Sequence, residues 1–184
     1  MTTHLNPSTQ KGFLVREATP SDLVEARAMI LRVLEEDLGY GYVSEWHWDL
    51  DDMQTVYLDN PRQALFVAVD NGSNQIVGTT AVRTGGPKSP PHPQRLAERY
   101  DYSRTAQLMR VYIVAEQRRR GIARALVEAA KNFVMAEGGY DVIYLHTNAG
   151  IPGAEVFWRS AATTEVYDAR GEDTWNTIHF EINW

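Results

Sequence analysis

The sequence predicts an α/β fold with a mixed sheet, and three observations carry that prediction. Leu108–Val114 reads as a strand, a basic turn follows it, and an amphipathic helix runs to Glu137 before a buried-type strand at Val142–Leu145. That order and spacing is a βαβ-like unit. Antiparallel pieces flank it, a hairpin pattern between Ala64 and Val82 and a last alternating strand at Ile178–Ile182. The chain has 184 residues, 43% of them hydrophobic, enough for one real core, with no internal repeat and no linker long enough to divide it.

Residues 1–12 are polar and read as a flexible tail, so the domain is expected to span 13–184. Thr19-Pro20-Ser21-Asp22 is a helix start, with Thr19 as N-cap, proline at the first helical position and an acid at the third. Leu23, Ala26, Ile30, Val33 and Leu34 then recur at helical spacing until Gly39. Ala64–Val69 and Ile76–Val82 predict a β-hairpin through Asp70-Asn71-Gly72, where Asn-Gly supplies the positive φ of a tight turn. Gly85 to Pro93 holds two glycines and four prolines and predicts an exposed loop. The helix from Gly121 to Glu137 carries Ile122, Ala125, Leu126, Ala129 and Phe133 on one face and closes at Gly138-Gly139. Gly153–Ala161 predicts a short helix, and in the final strand His179 and Glu181 alternate with apolar residues, the pattern of a half-exposed strand.

Composition removes several function classes. There is no cysteine, hence no disulfide framework, no Cys-ligated zinc site and no cysteinyl acyl intermediate. The polar start holds no apolar core of a secretory leader, and no apolar run approaches the roughly 20 residues that cross a bilayer. A cytoplasmic protein without membrane association is expected. The net charge of −6 speaks against nucleic acid as a partner. Charge is also unevenly spread: from Glu35 to Asn60 there are eight acids and no Lys or Arg, and from Arg104 to Arg124 six arginines face one acid. One cluster suits cationic partners and the other anionic ones, unless each is simply a solvated face.

Chemistry concentrates in Val111-Tyr112-Ile113-Val114-Ala115-Glu116-Gln117-Arg118-Arg119-Arg120-Gly121-Ile122-Ala123. The first amides of a helix lack intrahelical partners and sit at the positive end of its dipole, so this turn suits a pyrophosphate. Small residues at 121 and 123 let phosphate oxygens reach the backbone, and the arginines add charge-assisted bonds. No Gly-Lys-Ser/Thr follows, which excludes a Walker loop, and the spacing is not Gly-x-Gly-x-x-Gly.

On these residues the chain resembles the GNAT family of acetyl-CoA-dependent N-acetyltransferases. Their Arg/Gln-x-x-Gly-x-Gly/Ala motif is matched by Arg118, Gly121 and Ala123. Leu145-His146-Thr147-Asn148 followed by Ala154-Glu155-Val156-Phe157-Trp158 is similar to a second family segment. The resemblance covers roughly 13–184 and is strongest between 106 and 160. It implies a mostly antiparallel sheet of about six to seven strands, helices on both faces and a splayed central strand pair. The pantetheine arm would run between those strands, near Tyr112, Ile113 and Val114. The pyrophosphate would sit on Arg118, Arg119, Arg120, Gly121, Ile122, Ala123 and Arg124, with Asn148 and Trp158 completing the acetyl-CoA site. No metal is implied, and dimers are frequent in the family.

Departures from the family pattern matter as much. The tyrosine that commonly protonates the leaving thiolate falls at Trp158, whose indole is no useful acid. A family glutamate that acts as base falls at His146, which can take a proton near neutral pH, although a histidine at a strand end is also often structural. Gly39–Asp49 lies where the family builds its acceptor site. There Tyr40, Tyr42, Glu45, Trp46 and Asp49, with Glu36 just ahead of them, interleave acids with aromatics, as a cationic amine requires; packing beneath a solvated acidic face is the other reading. The function these residues imply is acetyl transfer to a primary amine of a small-molecule or peptide-like acceptor, by direct attack in a ternary complex. The alternative is a catalytically weak acyl-CoA sensor of the same fold.

Overall fold

A computed structural model describes residues 8–10 and 12–184, with side chains from Gly12 onward. The rest of the expected tail, residues 1–7 and 11, lies outside the described residues. In chain order the elements are β1 (Ser8–Gln10), β2 (Phe13–Glu17), α1 (Leu23–Glu36), α2 (Ser44–His47), β3 (Ala64–Asp70), β4 (Ile76–Thr84), α3 (Gln94–Ala97), β5 (Thr105–Ile113), α4 (Ile122–Glu137), β6 (Val142–Asn148), α5 (Ala154–Ser160), β7 (Thr163–Asp168) and β8 (Thr177–Ile182). The hydrogen-bonded strand order is β1-β2-β3-β4-β5-β6-β8-β7, mostly antiparallel with β5 and β6 parallel. This is the expected mixed, mostly antiparallel α/β sheet, and the strands that the sequence did not place individually are β1, inside the expected tail, β2, and β7, whose Thr-Thr-Glu-Val-Tyr-Asp shows no clean alternation.

The chain forms two compact units, Met1–Val82 with Arg110–Phe133, and Arg83–Met109 with Val134–Trp184. In the first, β1, β2, β3 and β4 pair antiparallel in succession. β3 is buried along its whole apolar run, as a strand covered on both faces must be. The start of α1 is fixed as the sequence predicts: the Thr19 amide and hydroxyl both donate to Asp22 Oδ2, each at 2.7 Å. The predicted stripe is buried at Ala26, Ile30, Val33 and Leu34.

The β3–β4 turn differs from expectation. Asp70 Oδ2 accepts from the amides of Gly72 and Ser73, each at 3.0 Å, and the left-handed residue is Asn74 at φ 58°, not the Asn71-Gly72 pair. The Asx turn built on Asp70 satisfies the early amides and moves the reversal downstream. Gly78 in β4 is a close approach to α4: a Cβ there would lie 2.6 Å from Ile113 Cδ1 and 3.1 Å from both Ile122 Cγ2 and Leu126 Cδ1.

In the second unit β5 and β6 are registered at Thr105↔Val142, Ala106↔Ile143 and Gln107↔Tyr144. β6 pairs antiparallel with β8, which places His146 opposite His179 and Tyr144 opposite Glu181. Cross-strand partners share a face, so Tyr144, His146, His179 and Glu181 lie on one side while Ile143, Leu145, Ile178 and Phe180 face the other. The segment from Gly85 to Asp101 folds over the polar side. The Tyr100 ring lies 5.0 Å from that of Tyr144, the Tyr100 hydroxyl donates to Glu181 at 2.9 Å, and the His92 ring lies 4.9 Å from that of His179. Two expectations are thereby corrected. Gly85 and Pro87 are buried, so the loop is exposed only around 88–91, and His179 is 0% exposed rather than half-exposed. Alternation along a strand cannot reveal what a distant loop places on its polar face.

Candidate active site

The basic turn is built as its composition dictates. Arg119 at φ 66° and Gly121 at φ 84° are left-handed, which bends the chain from β5 into the first turn of α4. Its four arginines are not equivalent. Arg118 pairs with Asp37, beyond the end of α1, and its Nε donates to the Ile113 carbonyl at 3.1 Å. Arg120 pairs with Asp70 at 2.9 Å, bonds Gln117, and donates to the Gly12 carbonyl at 3.1 Å. Arg119 and Arg124 are exposed and carry no ion pair among the described residues. Two arginines brace the turn and two do not. Ile122, expected among the phosphate-binding residues, has a buried side chain, so only its amide faces outward chemistry.

The acidic stretch Glu35–Asn60 lies in the same unit, and its charge is partly cancelled by the arginine cluster it was set against. Asp49 is 0% exposed; Arg110 Nε reaches its Oδ2 at 3.0 Å, a second bond joins Arg110 to Oδ1, and the Tyr57 hydroxyl donates at 2.6 Å. Burial works against both charges, yet these bonds hold Asp49 below the usual carboxylate range and Arg110 above its ordinary value. Arg110 is left-handed, φ 56°, inside β5. Its side chain also donates to the Trp46 carbonyl at 2.6 Å, and its own carbonyl accepts from the Thr79 hydroxyl at 2.8 Å. A non-glycine residue in this conformation costs on the order of 1–3 kcal/mol and persists because its neighbours over-determine it.

Asp49 therefore shapes the segment from within, and the surface belongs to the other expected residues. Glu36, Tyr40, Tyr42, Glu45 and Trp46 are exposed. Tyr40 bonds Tyr112 of β5, its ring stacks on His47 at 6.1 Å, and Trp46 meets it edge-on at 6.2 Å. His47 is buried, accepts from the Val43 amide at 2.9 Å, and is held below its ordinary pKa by burial and by Arg110. Tyr42 donates to Asp51 at 2.6 Å, and Glu36 lies 3.8 Å from Arg32. Of the backbone near the turn, the Val114 amide is spent on Val77 at 3.1 Å.

The remaining expected residues lie in the second unit. His146 is exposed at the end half of β6, with Nδ1 3.3 Å from the Tyr144 hydroxyl. Asn148 Oδ1 accepts from the Gly150 amide at 2.7 Å, and Trp158 in α5 is buried. Sequence reading missed His92, Tyr144 and His179, which join His146 in one ring cluster, and Arg110, which anchors Asp49. Tyr144, His179 and Arg110 show in the sequence only as polar residues on strands, and His92 lies in the loop that covers two of them. Among the described residues no group of three or more His, Asp or Glu side chains could hold a metal ion, and no helix is long and apolar enough to cross a membrane.

A strand leads through a left-handed basic turn into a long helix, and comparison with known proteins identifies the family. The sequence model of the acetyltransferase (GNAT) family matches residues 27–160. The chain belongs to that family. No curated protein matches it. Similar solved structures include a GNAT-family acetyltransferase from Staphylococcus aureus at TM-score 0.72 and 17% identity, covering 93% of this chain and 98% of that one. A ribosomal-protein-alanine N-acetyltransferase from Brucella melitensis gives 0.64 at 18% identity, covering 92% and 99%. A spermidine N-acetyltransferase from Vibrio cholerae, solved with CoA and spermine, gives 0.62 at 17% identity, covering 94% and 96%. At these identities the likeness is one of fold.

Proposed function

We propose that this chain transfers the acetyl group of acetyl-CoA to a primary amine on a small-molecule or peptide-like acceptor. The observation that carries the reading is the turn opening α4, where left-handed Arg119 and Gly121 lead into the first helix amides, which have no intrahelical acceptor, beside exposed Arg119 and Arg124. These groups fit the CoA phosphates by charge and by hydrogen-bond type. Tyr112 and Ile113 of β5 would face the acyl arm, and exposed Glu45 with the Tyr40–Trp46 rings would receive the cationic amine. That relatives of the same fold act on spermidine and on ribosomal protein supports an amine acceptor.

In the chemistry that the family resemblance implies, His146 would take one proton from the ammonium, the freed amine would attack the thioester carbon, the C–S bond would break as the C–N bond forms, and the second proton on nitrogen would leave to solvent. A backbone amide near Ile113 would steady the oxyanion. The thiolate collects its proton from solvent, because Trp158 offers no acid. The buried Trp158 also favours a second reading, an acyl-CoA sensor with little turnover.

Thiol release from acetyl-CoA across a panel of amines separates the two. Amine-dependent release supports transfer, and tight CoA binding without release supports the sensor. Gly121→Glu places a charged side chain in the cradle, and undiminished CoA binding by this variant in calorimetry would overturn the phosphate site. His146→Ala is expected to lower kcat/KM by about 10²-fold or more near neutral pH.

A further inference from the structure

The segment that would receive the amine has little support of its own. α2 (Ser44–His47) is a single turn, too short to persist in water by itself, and the carbonyls at its end have no intrahelical donor. Its hold comes from β5. Arg110 Nη2 donates to the Trp46 carbonyl at 2.6 Å and also to Asp49 Oδ1, while Arg110 Nε donates to Asp49 Oδ2 at 3.0 Å. One edge of one guanidinium thus ties two residues of the segment to the strand. The Tyr57 hydroxyl donates to the same carboxylate at 2.6 Å and fixes its direction. All four residues belong to the first compact unit.

Stability alone does not call for this arrangement. Asp49 is fully buried and Arg110 nearly so, and an apolar pair of equal volume would hold the fold as well or better. What an apolar pair lacks is a donor for the Trp46 carbonyl and a fixed direction. The backbone carries the same constraint: Arg110 is left-handed at φ 56°, and the Thr79 hydroxyl holds its carbonyl at 2.8 Å. Two residues along β5, Tyr112 bonds Tyr40, whose ring meets that of Trp46 edge-on at 6.2 Å. The strand therefore grips both members of the aromatic pair, one by its hydroxyl and the other by its carbonyl.

We propose that Arg110 and Asp49 are positioning residues for the acceptor: the Arg110 fork sets the Tyr40–Trp46 pair, with Glu45 beside it, at a fixed distance from β5 at Tyr112 and Ile113, and so aims the amine. This rests on the reading of Tyr40, Glu45 and Trp46 as the acceptor wall and of Tyr112 and Ile113 as facing the acyl arm. Asp49 takes no part in attracting the amine, because its carboxylate is spent on Arg110 and Tyr57. Its effect is geometric, so it should not be screened by salt as that of exposed Glu45 is.

The test combines Asp49→Leu with Arg110→Met in one chain, which keeps the volume and removes the fork. Urea unfolding should show most of the parent's stability. Hydrogen exchange should still run about 10-fold faster at the amides of 43–49, with those of α4 as in the parent. For the amine of the panel that the parent turns over fastest, benzylamine and a short peptide with a free N-terminus among them, kcat/KM should fall about 10-fold. The same fall is expected in low and high salt, with acetyl-CoA affinity unchanged in calorimetry. Arg110→Lys keeps the charge but not the planar fork, and both changes are expected of it too if the double variant does not fold. Exchange and amine efficiency that match the parent overturn the inference and leave the pair purely structural. A loss of acetyl-CoA affinity as large as the loss for the amine also overturns it, since Arg110 would then act on β5 alone. If the parent releases thiol with no amine of the panel, the transfer reading fails and the inference falls with it; a parent that turns over an amine no faster than the variant defeats the inference alone.

Discussion

Asp49 and Arg110 show how much one residue can hold. A buried ion pair contributes little net stability compared with an apolar pair of the same volume, but removing one partner strands a charge, at a cost of about 3–5 kcal/mol. Asp49→Ala should lose that much in urea unfolding, since Arg110 would stay buried beside Tyr57 and the Trp46 carbonyl. Replacing both, Asp49→Leu with Arg110→Met, should recover a large part of it. A double replacement no better than the single would mean that the left-handed backbone at Arg110, not the charge, sets the cost. Exposed Glu45 carries no such burden, so Glu45→Gln should leave stability alone and raise KM for the amine, read from initial rates.

At the scale of elements, the contact between β4 and α4 depends on the missing side chain of Gly78. A Gly78→Val substitution would drive methyl groups into Ile113, Ile122 and Leu126, and should destabilise by about 1–3 kcal/mol in urea unfolding. Shortening Ile113 to valine in the same chain should return part of this, because the 2.6 Å clash is with its Cδ1. Elements were legible wherever the determinant is local. The Thr19–Asp22 cap, the α1 stripe, the β3–β4 pairing and the small residues of the basic turn are read from neighbours in sequence. What could not be read depends on distant contacts: Arg110 finds Asp49 through folding, His179 is sealed by the loop bearing His92, and Asn74 reverses the chain because Asp70 captures the amides before it. Of the candidate site, the basic turn proposed to hold phosphate could therefore be picked out in the sequence, and the histidine cluster could not.

For the whole molecule, acid stability follows from the same cluster. His179 titrates near 4 in the folded chain and near 6.5 when unfolded. Between those values the unfolded state binds more protons, so stability falls as the pH drops below about 6.5. His92 is shifted the same way and adds to it. The expected loss between pH 7.5 and pH 5 is on the order of 1–2 kcal/mol, measured as the change in unfolding free energy by urea titration at each pH. His179→Asn should flatten this slope. Asp22 and Asp49, held below the usual carboxylate range, act only at lower pH, where stability is lost as their carboxylates are protonated. A decline that begins only below pH 4 would contradict the neutral histidines.

The bond from Arg120 to the Gly12 carbonyl bears on how the protein should be trimmed or tagged. Gly12 sits where β1 turns into β2, far along the chain from the turn that Arg120 helps to hold. A polypeptide started at Phe13 would lack that carbonyl as well as β1, leaving Arg120 tied only to Asp70 and Gln117. Truncation at this boundary removes no residue of the proposed site, yet it should weaken CoA binding by loosening the turn. An affinity handle is better carried at the other terminus.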